Sequence, residues 1–220
     1  MVALETSNST EQQRVRELIA RLEALYPDAK CSLDFSSPWE LLVATMLSAQ
    51  CTDERVNMVT PGLFRRFPTI QAFADAPIEE IEDAVRSTGF FRNKAKNIQA
   101  TARLLLSNHE GAVPRSMETM VGLPGVARKT ANCVLGNAYE IVEGIAVDTH
   151  VGRLGQRLGL TDQSDPVKVE QELMKVLPKE KWLATNHLLI YHGRAICQAR
   201  KPACHICTLV DLCPTGRARA

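Results

Sequence analysis

Apolar residues recur with the period of a helix along nearly the whole chain. Val15, Leu18, Ile19, Leu22 and Leu25 fall on one face of a segment running from Gln12 to Leu25. Ser37-Pro38-Trp39-Glu40 has the order of a helix start, with Ser37 as N-cap, Pro38 as the first helical residue and Glu40 as capping-box partner. From Leu41 to Leu47 the chain is apolar on almost every side, which predicts a central helix. Thr60-Pro61 and Ala76-Pro77 look like further starts, the second leading into Ile78 to Ser87, with Gly89 suited to ending it. The same period predicts helices over Asn93 to Ser107, Ser116 to Val121, Ala127 to Tyr139, Thr149 to Leu158, Asp165 to Val176 and Lys181 to Arg194. Sustained alternation of period two is absent, so the fold class is all-α. Trp39 and Trp182 look like core, and no repeat or low-complexity linker interrupts the pattern.

Bulk composition narrows the function classes. With 220 residues, 45% of them hydrophobic, the chain suits one large domain or two small lobes with a real core. No run approaches the roughly 18 apolar residues of a membrane span, so no membrane association is expected. Met1 to Glu11 is polar and lacks the basic and apolar regions of a secretory signal, which predicts a short disordered tail on a cytoplasmic protein. The 26 Lys and Arg balance 25 Asp and Glu, so any nucleic-acid face must be a local arrangement of charge.

Seven cysteines in a chain without a signal argue against a disulfide framework. Cys197, Cys204, Cys207 and Cys213 have the spacing C-x6-C-x2-C-x5-C, which is a metal site for either zinc or an iron–sulfur cluster. Between the first two lies the pair Arg200-Lys201, which could hold a phosphate rigidly or simply be solvated. Cys51 and Cys133 read as inert small hydrophobes.

The segment Leu123-Pro124-Gly125-Val126-Ala127-Arg128-Lys129-Thr130-Ala131 places a Pro-Gly turn between a short helix and a longer one. Such a turn can aim backbone N–H groups outward at a helix start and bind one phosphate, though a plain αα-turn has the same outline. On residues alone, Lys129 reads equally as a solvated lysine and Asp148 as an N-cap.

These nine residues resemble the helix-hairpin-helix of the endonuclease III family of DNA glycosylases, whose usual form is LPGVGRKTA; eight of the nine positions match. Ala127 replaces the second glycine. If that position needs left-handed dihedrals, alanine adds roughly 1 kcal/mol of strain. The resemblance extends from about Ser37 to Cys213. It implies a two-lobed fold, a six-helix lobe with the hairpin (37–148) and a cluster lobe built from the N-terminal tail and helix (1–36) together with 149–220, with DNA in the cleft between lobes. It further implies that Lys129 is the nucleophile and that Asp148, in Val147-Asp148-Thr149-His150, is its partner. Backbone at Gly125, Ala127 and Arg128 would bind phosphate, and the four cysteines would hold a [4Fe–4S] cluster. Leu47-Ser48-Ala49-Gln50-Cys51-Thr52-Asp53 resembles the family loop whose glutamine enters the space left by an extruded base, which points to Gln50. Phe90 takes the place of a second wedge, and Phe91 is expected to pack in the core.

One lysine then accounts for two activities. Its neutral amine attacks C1′ of the damaged nucleotide, the base leaves, and the opened sugar becomes a Schiff base. The imine acidifies the 2′ proton, and loss of that proton expels the 3′ phosphate and nicks the strand. Asp148 would transfer protons and stabilise positive charge developing on the sugar. The expected function is a base excision repair glycosylase and abasic-site lyase for oxidised pyrimidines, acting as a nucleoid-associated monomer on double-stranded DNA with damaged pyrimidines or abasic sites. A pyrimidine-dimer glycosylase of the same fold, a non-catalytic DNA-binding module and a zinc-stabilised interaction domain are the alternatives.

Overall fold

Short polar side chains start many of the helices that the periodicity predicts. In the computed structural model of the chain, Ser37 Oγ accepts from the Glu40 N–H at 3.2 Å, Thr52 Oγ1 from Arg55 at 3.2 Å, and Ser116 Oγ from Thr119 at 3.3 Å. Asp165 Oδ1 accepts from Val167 and Lys168, each at 3.1 Å. The structure describes the backbone of residues 2–219 and side chains from residue 10 onward. Among these the chain runs through α1 (Val2–Leu25), α2 (Pro38–Leu47), α3 (Asp53–Arg66), α4 (Ile70–Asp75), α5 (Ile78–Val85) and α6 (Phe91–Asn108). It continues through α7 (Met117–Val121), α8 (Arg128–Tyr139), α9 (Thr149–Arg157), α10 (Pro166–Val176), α11 (Trp182–Ala195) and α12 (Pro214–Arg217), with 3-10 turns at Arg86–Thr88, Lys179–Lys181 and Cys204–Ile206. No strand occurs among the described residues, as the absence of period-two alternation predicts. None of the described helices is long and apolar enough to cross a membrane.

The differences from the sequence reading have local causes. Helix α1 begins at Val2 instead of following a disordered tail; no Pro or Gly interrupts residues 2–25. Pro61 does not start a helix but lies inside α3. The Thr52 cap and the acidic pair Asp53-Glu54 start that helix eight residues earlier, and burial of Val56, Thr60 and Leu63 on one face offsets the proline's missing N–H. Glu40 reaches back one residue further than a capping box requires, accepting from both Ser36 N–H and Ser36 Oγ at 2.7 Å. The short helix α4 has too few turns for periodicity to reveal, and Thr69 caps it.

The chain divides into two compact units, 31–143 and the pair of segments 1–30 with 144–220. In the first, α2 is buried on almost all sides and packs on α8, while α6 packs on α4 and α5. Phe73 is fully buried at its centre, with ring centroids of Trp39 at 5.3 Å, Phe67 at 5.2 Å and Phe64 at 6.4 Å. In the second, α11 packs on α1 and α9. Arg14 fastens the N-terminal helix there by donating to the carbonyls of Leu158 and Leu212, both at 2.8 Å. Trp182 is buried and donates its indole N–H to Leu177 O at 3.0 Å.

Replacing Phe73 with alanine should lower unfolding free energy by about 3–5 kcal/mol, because the ring's three aromatic neighbours cannot all collapse into the void. Chemical denaturation read by circular dichroism checks this; a loss under about 1 kcal/mol would contradict the packing described.

Candidate active site and cysteine loop

Two buried side chains, Leu123 and Val126, hold the hairpin down from either side of its turn. Gly125 between them has φ +74, and a Cβ there would lie 2.7 Å from Asn97 Nδ2, so any other residue would be strained at this position. Thr101 Oγ1 donates to Pro124 O at 3.0 Å and ties the turn to α6. Ala127 is the N-cap of α8 with φ −90 and ψ 167, an extended backbone that any residue adopts. The departure from the family's second glycine therefore carries no left-handed strain. The N-cap residue Ala127 makes no side-chain cap bond to α8.

Lys129 is the second residue of α8 and is exposed, while Thr130 and Ala131 beside it turn into the core. One turn along the helix, Cys133 pairs with Cys31. The Cys31 thiol donates to the Cys133 sulfur and draws the Cys133 pKa below the ordinary thiol range against the effect of burial, with the Lys129 charge and a contact from Thr45 Oγ1 acting in the same direction. The Cys31 pKa is pushed up correspondingly, by that hydrogen bond and by burial. Cys133 and Cys31 thus form a thiol pair at the edge of the core. Cys31 lies about a hundred residues away in sequence, so spacing alone gives no sign of the pairing.

Gln50 and Phe90 lie in the same unit as Lys129. Both have left-handed backbones, φ 53 and φ 48, which non-glycine residues rarely adopt. Both are exposed, Phe90 at 67%. One cavity is lined by Gln50, Phe90, Lys94, Asn97 and Gly125, so the structure brings Gln50 and Phe90 to the hairpin turn. Phe91 is half-buried against the core with the guanidinium groups of Arg86 and Arg92 over its ring at 4.9 and 5.2 Å, as expected of it.

Asp148 belongs to the other unit and caps α9. Its Oδ1 accepts from the N–H groups of His150 and Val151, both at 2.8 Å, and its Oδ2 is 3.3 Å from His150 Nδ1. The carboxylate is therefore fixed by its own helix while its side chain stays 24% exposed.

In the same unit, one cavity is lined by all four cysteines of the C-terminal loop together with His192, Arg157 and Gly216. Burial raises the pKa values of Cys207 and Cys213, and charge on the other cysteines of the set raises them further, so four free thiolates would repel one another. Bound iron would remove that penalty. Donors already face two of the sulfurs, Arg157 Nη1 to Cys197 Sγ at 3.3 Å and Gly216 N–H to Cys213 Sγ at 3.2 Å, and His192 Nε2 lies 3.5 Å from Cys207 Sγ. The four thiols line one cavity and supply the all-sulfur donor set that either a tetrahedral zinc or an iron–sulfur cluster takes.

Arg157 also donates to Gln198 O at 2.8 Å and Ala199 O at 2.7 Å, which holds the loop rigid immediately before the exposed pair Arg200 and Lys201. Arg153 adds bonds to Cys197 O at 3.2 and 3.3 Å. Sequence reasoning did not single out either arginine. Their spacing of four on α9 puts both on one face, but nothing in the sequence says what that face meets.

Residues 43–179 match the family described as HhH-GPD superfamily base excision DNA repair protein, and residues 197–213 match the iron–sulfur binding domain of endonuclease III. The chain is 53% identical to endonuclease III of Synechocystis sp., over 99% of this chain and 100% of that one. It is 43% identical to endonuclease III of Bacillus subtilis, over 94% of each. A solved structure of a trapped covalent intermediate of endonuclease III with DNA, in an estranged-adenine complex, superposes with a TM-score of 0.89 at 44% identity, covering 94% of this chain and 98% of that one.

Removing the carboxylate at position 148 should cost stability through the cap alone. Asp148→Ala is expected to lower unfolding free energy by about 1 kcal/mol and Asp148→Asn by only a few tenths, since the amide oxygen still caps. Thermal melting compares them; equal losses would mean that the cap bonds are not formed.

Proposed function

Since the chain belongs to the endonuclease III family of base excision repair proteins, we propose roles for its individual residues on that premise. The protein is a DNA glycosylase and abasic-site lyase of base excision repair, it binds DNA, and it carries a [4Fe–4S] cluster. The proposed substrate is double-stranded DNA bearing oxidised pyrimidines or abasic sites, processed by a monomer at the nucleoid.

The observation that carries the residue assignment is the geometry of the hairpin. A left-handed Gly125 followed by an extended Ala127 starts α8 without a side-chain cap and leaves Lys129 exposed in its first turn. Amides of Gly125, Ala127 and Arg128 would hold one backbone phosphate at the helix start. The neutral Lys129 amine then attacks C1′, the glycosidic bond breaks with its electron pair leaving on the base, and the sugar ring opens to an imine. Abstraction of the 2′ proton moves its electron pair toward the imine and expels the 3′ phosphate. Asp148, held open by its cap bonds, would carry protons and stabilise positive charge on the sugar.

Gln50 and Phe90 would fill the space left by the extruded nucleotide, which lowers the few kcal/mol cost of flipping. Cys197, Cys204, Cys207 and Cys213 would ligate the cluster. When bound, it supplies a rigid structural anchor for the loop between the first two ligands. Arg200 and Lys201 on that loop would contact phosphates without reading sequence.

Borohydride should trap a covalent complex between the protein and a duplex containing an oxidised pyrimidine, and Lys129→Gln should give none. Trapping by that variant at the wild-type rate refutes the assignment. Arg200→Ala should weaken binding to all duplexes alike and make the dependence of log K on log salt shallower by about one. Titration across several salt concentrations reads the slope, and an unchanged slope removes Arg200 from the interface.

A further inference from the structure

Lys94 has no part in the chemistry above, yet it is only 6% exposed. Its ammonium group donates to Leu47 O at 2.7 Å and to Thr88 O at 2.8 Å. Leu47 is the last residue of α2, and Thr88 the last of the 3-10 turn Arg86–Thr88. Each carbonyl lies at a helical C-terminus, where orphan acceptors and the negative end of the dipole favour a cation. Burial lowers the Lys94 pKa, and the two carbonyls give the buried amino group its hydrogen-bond partners.

The two carbonyls lie just upstream of the two residues proposed to probe DNA. Leu47 precedes Gln50 by three positions, and Thr88 precedes Phe90 by two. Both loops then turn through left-handed residues, Gln50 at φ 53, Gly89 at φ 71 and Phe90 at φ 48. Strained backbone of this kind persists only where the surroundings fix it. The Lys94 N–H also bonds Phe90 O at 3.1 Å, so the residue grips one loop through both main chain and side chain. Lys94 lines the cavity that Gln50 and Phe90 share.

We propose that Lys94 is a positioning residue whose ammonium group sets the separation between the Gln50 and Phe90 loops, so that both side chains are presented to the duplex as one rigid pair. The proposal rests on the reading that Gln50 and Phe90 enter the duplex. A second constraint follows from the chemistry of the bond: two carbonyls facing one another need a donor between them. An apolar side chain of the same length therefore fills the space but drives the loops apart.

The test uses the intact cluster-containing protein and its Lys94→Met variant. Amide hydrogen exchange without DNA should show protection lost in both segments, 48–53 and 89–93, with the rest of α6, α8 and the cysteine loop unchanged. Single-turnover excision of thymine glycol from a fully paired duplex should fall roughly ten- to a hundredfold. Nicking of a preformed abasic duplex, which needs less unstacking, should fall less than about threefold. Lost protection in one loop only, or in neither, overturns the proposal, as does an equal loss on both substrates. Gln50→Ala and Phe90→Ala, measured alongside, separate the two levels. If both lose excision while Lys94→Met does not, the positioning role fails alone. If neither loses excision, the duplex-entry reading fails, and the exchange data still decide whether Lys94 couples the loops. Lys94→Gln keeps one N–H₂ donor and gives the same readouts, at intermediate size, should the methionine variant not fold.

Discussion

A single missing methyl group sets the geometry on which the proposed chemistry depends. A Cβ at position 125 would stand 2.7 Å from Asn97 Nδ2, and the backbone there has φ +74. With glycine the turn closes against α6, Leu123 and Val126 sink into the core, and α8 follows at Arg128 without a cap from the Ala127 side chain. Lys129 is thereby carried on a rigid helix whose next residues are buried, not on a loop. Catalytic groups held this way lose little orientation entropy at the moment of reaction.

The cysteine loop follows the same logic with different materials. Loops that carry contacts need fixing, and a chain of short turns with few apolar side chains cannot fix itself by packing. Here Arg157 bonds successive carbonyls of Cys197, Gln198 and Ala199, and Arg153 adds to the first. The cluster would fix the ends of the loop and the arginines its beginning. That leaves Arg200 and Lys201 as charged side chains on an immobile backbone, which is what a sequence-independent phosphate contact needs.

Much of this was legible in the sequence because it is written in local chemistry. Ser37, Ser116 and Asp165 cap the helices they precede, and the four cysteines line one cavity as their spacing suggests. What escaped was decided by tertiary packing. Pro61 reads as a helix start but sits in mid-helix because one face of α3 is buried. Ala127 looks like a strained substitution, yet its extended backbone removes the cost. The Cys31–Cys133 pair and the two carbonyls bound by Lys94 join residues distant in sequence, and no periodicity or spacing encodes such meetings.

The two proposed chemical residues make opposite use of a helix start. Helix α8 has Ala127 as its N-cap residue, which carries no side-chain acceptor, and the lysine two residues on lies in that first turn. Helix α9 begins at Asp148, whose Oδ1 takes two of its amides, leaving Oδ2 beside His150. A phosphate would complete the first helix as the carboxylate completes the second. An acidic cap at position 127 would fill the amides of α8 and repel the phosphate, whereas an alanine at 148 would free amides that no substrate group is proposed to use. On the roles proposed, alanine at one start and aspartate at the other would divide binding from proton transfer, according to which helix caps itself.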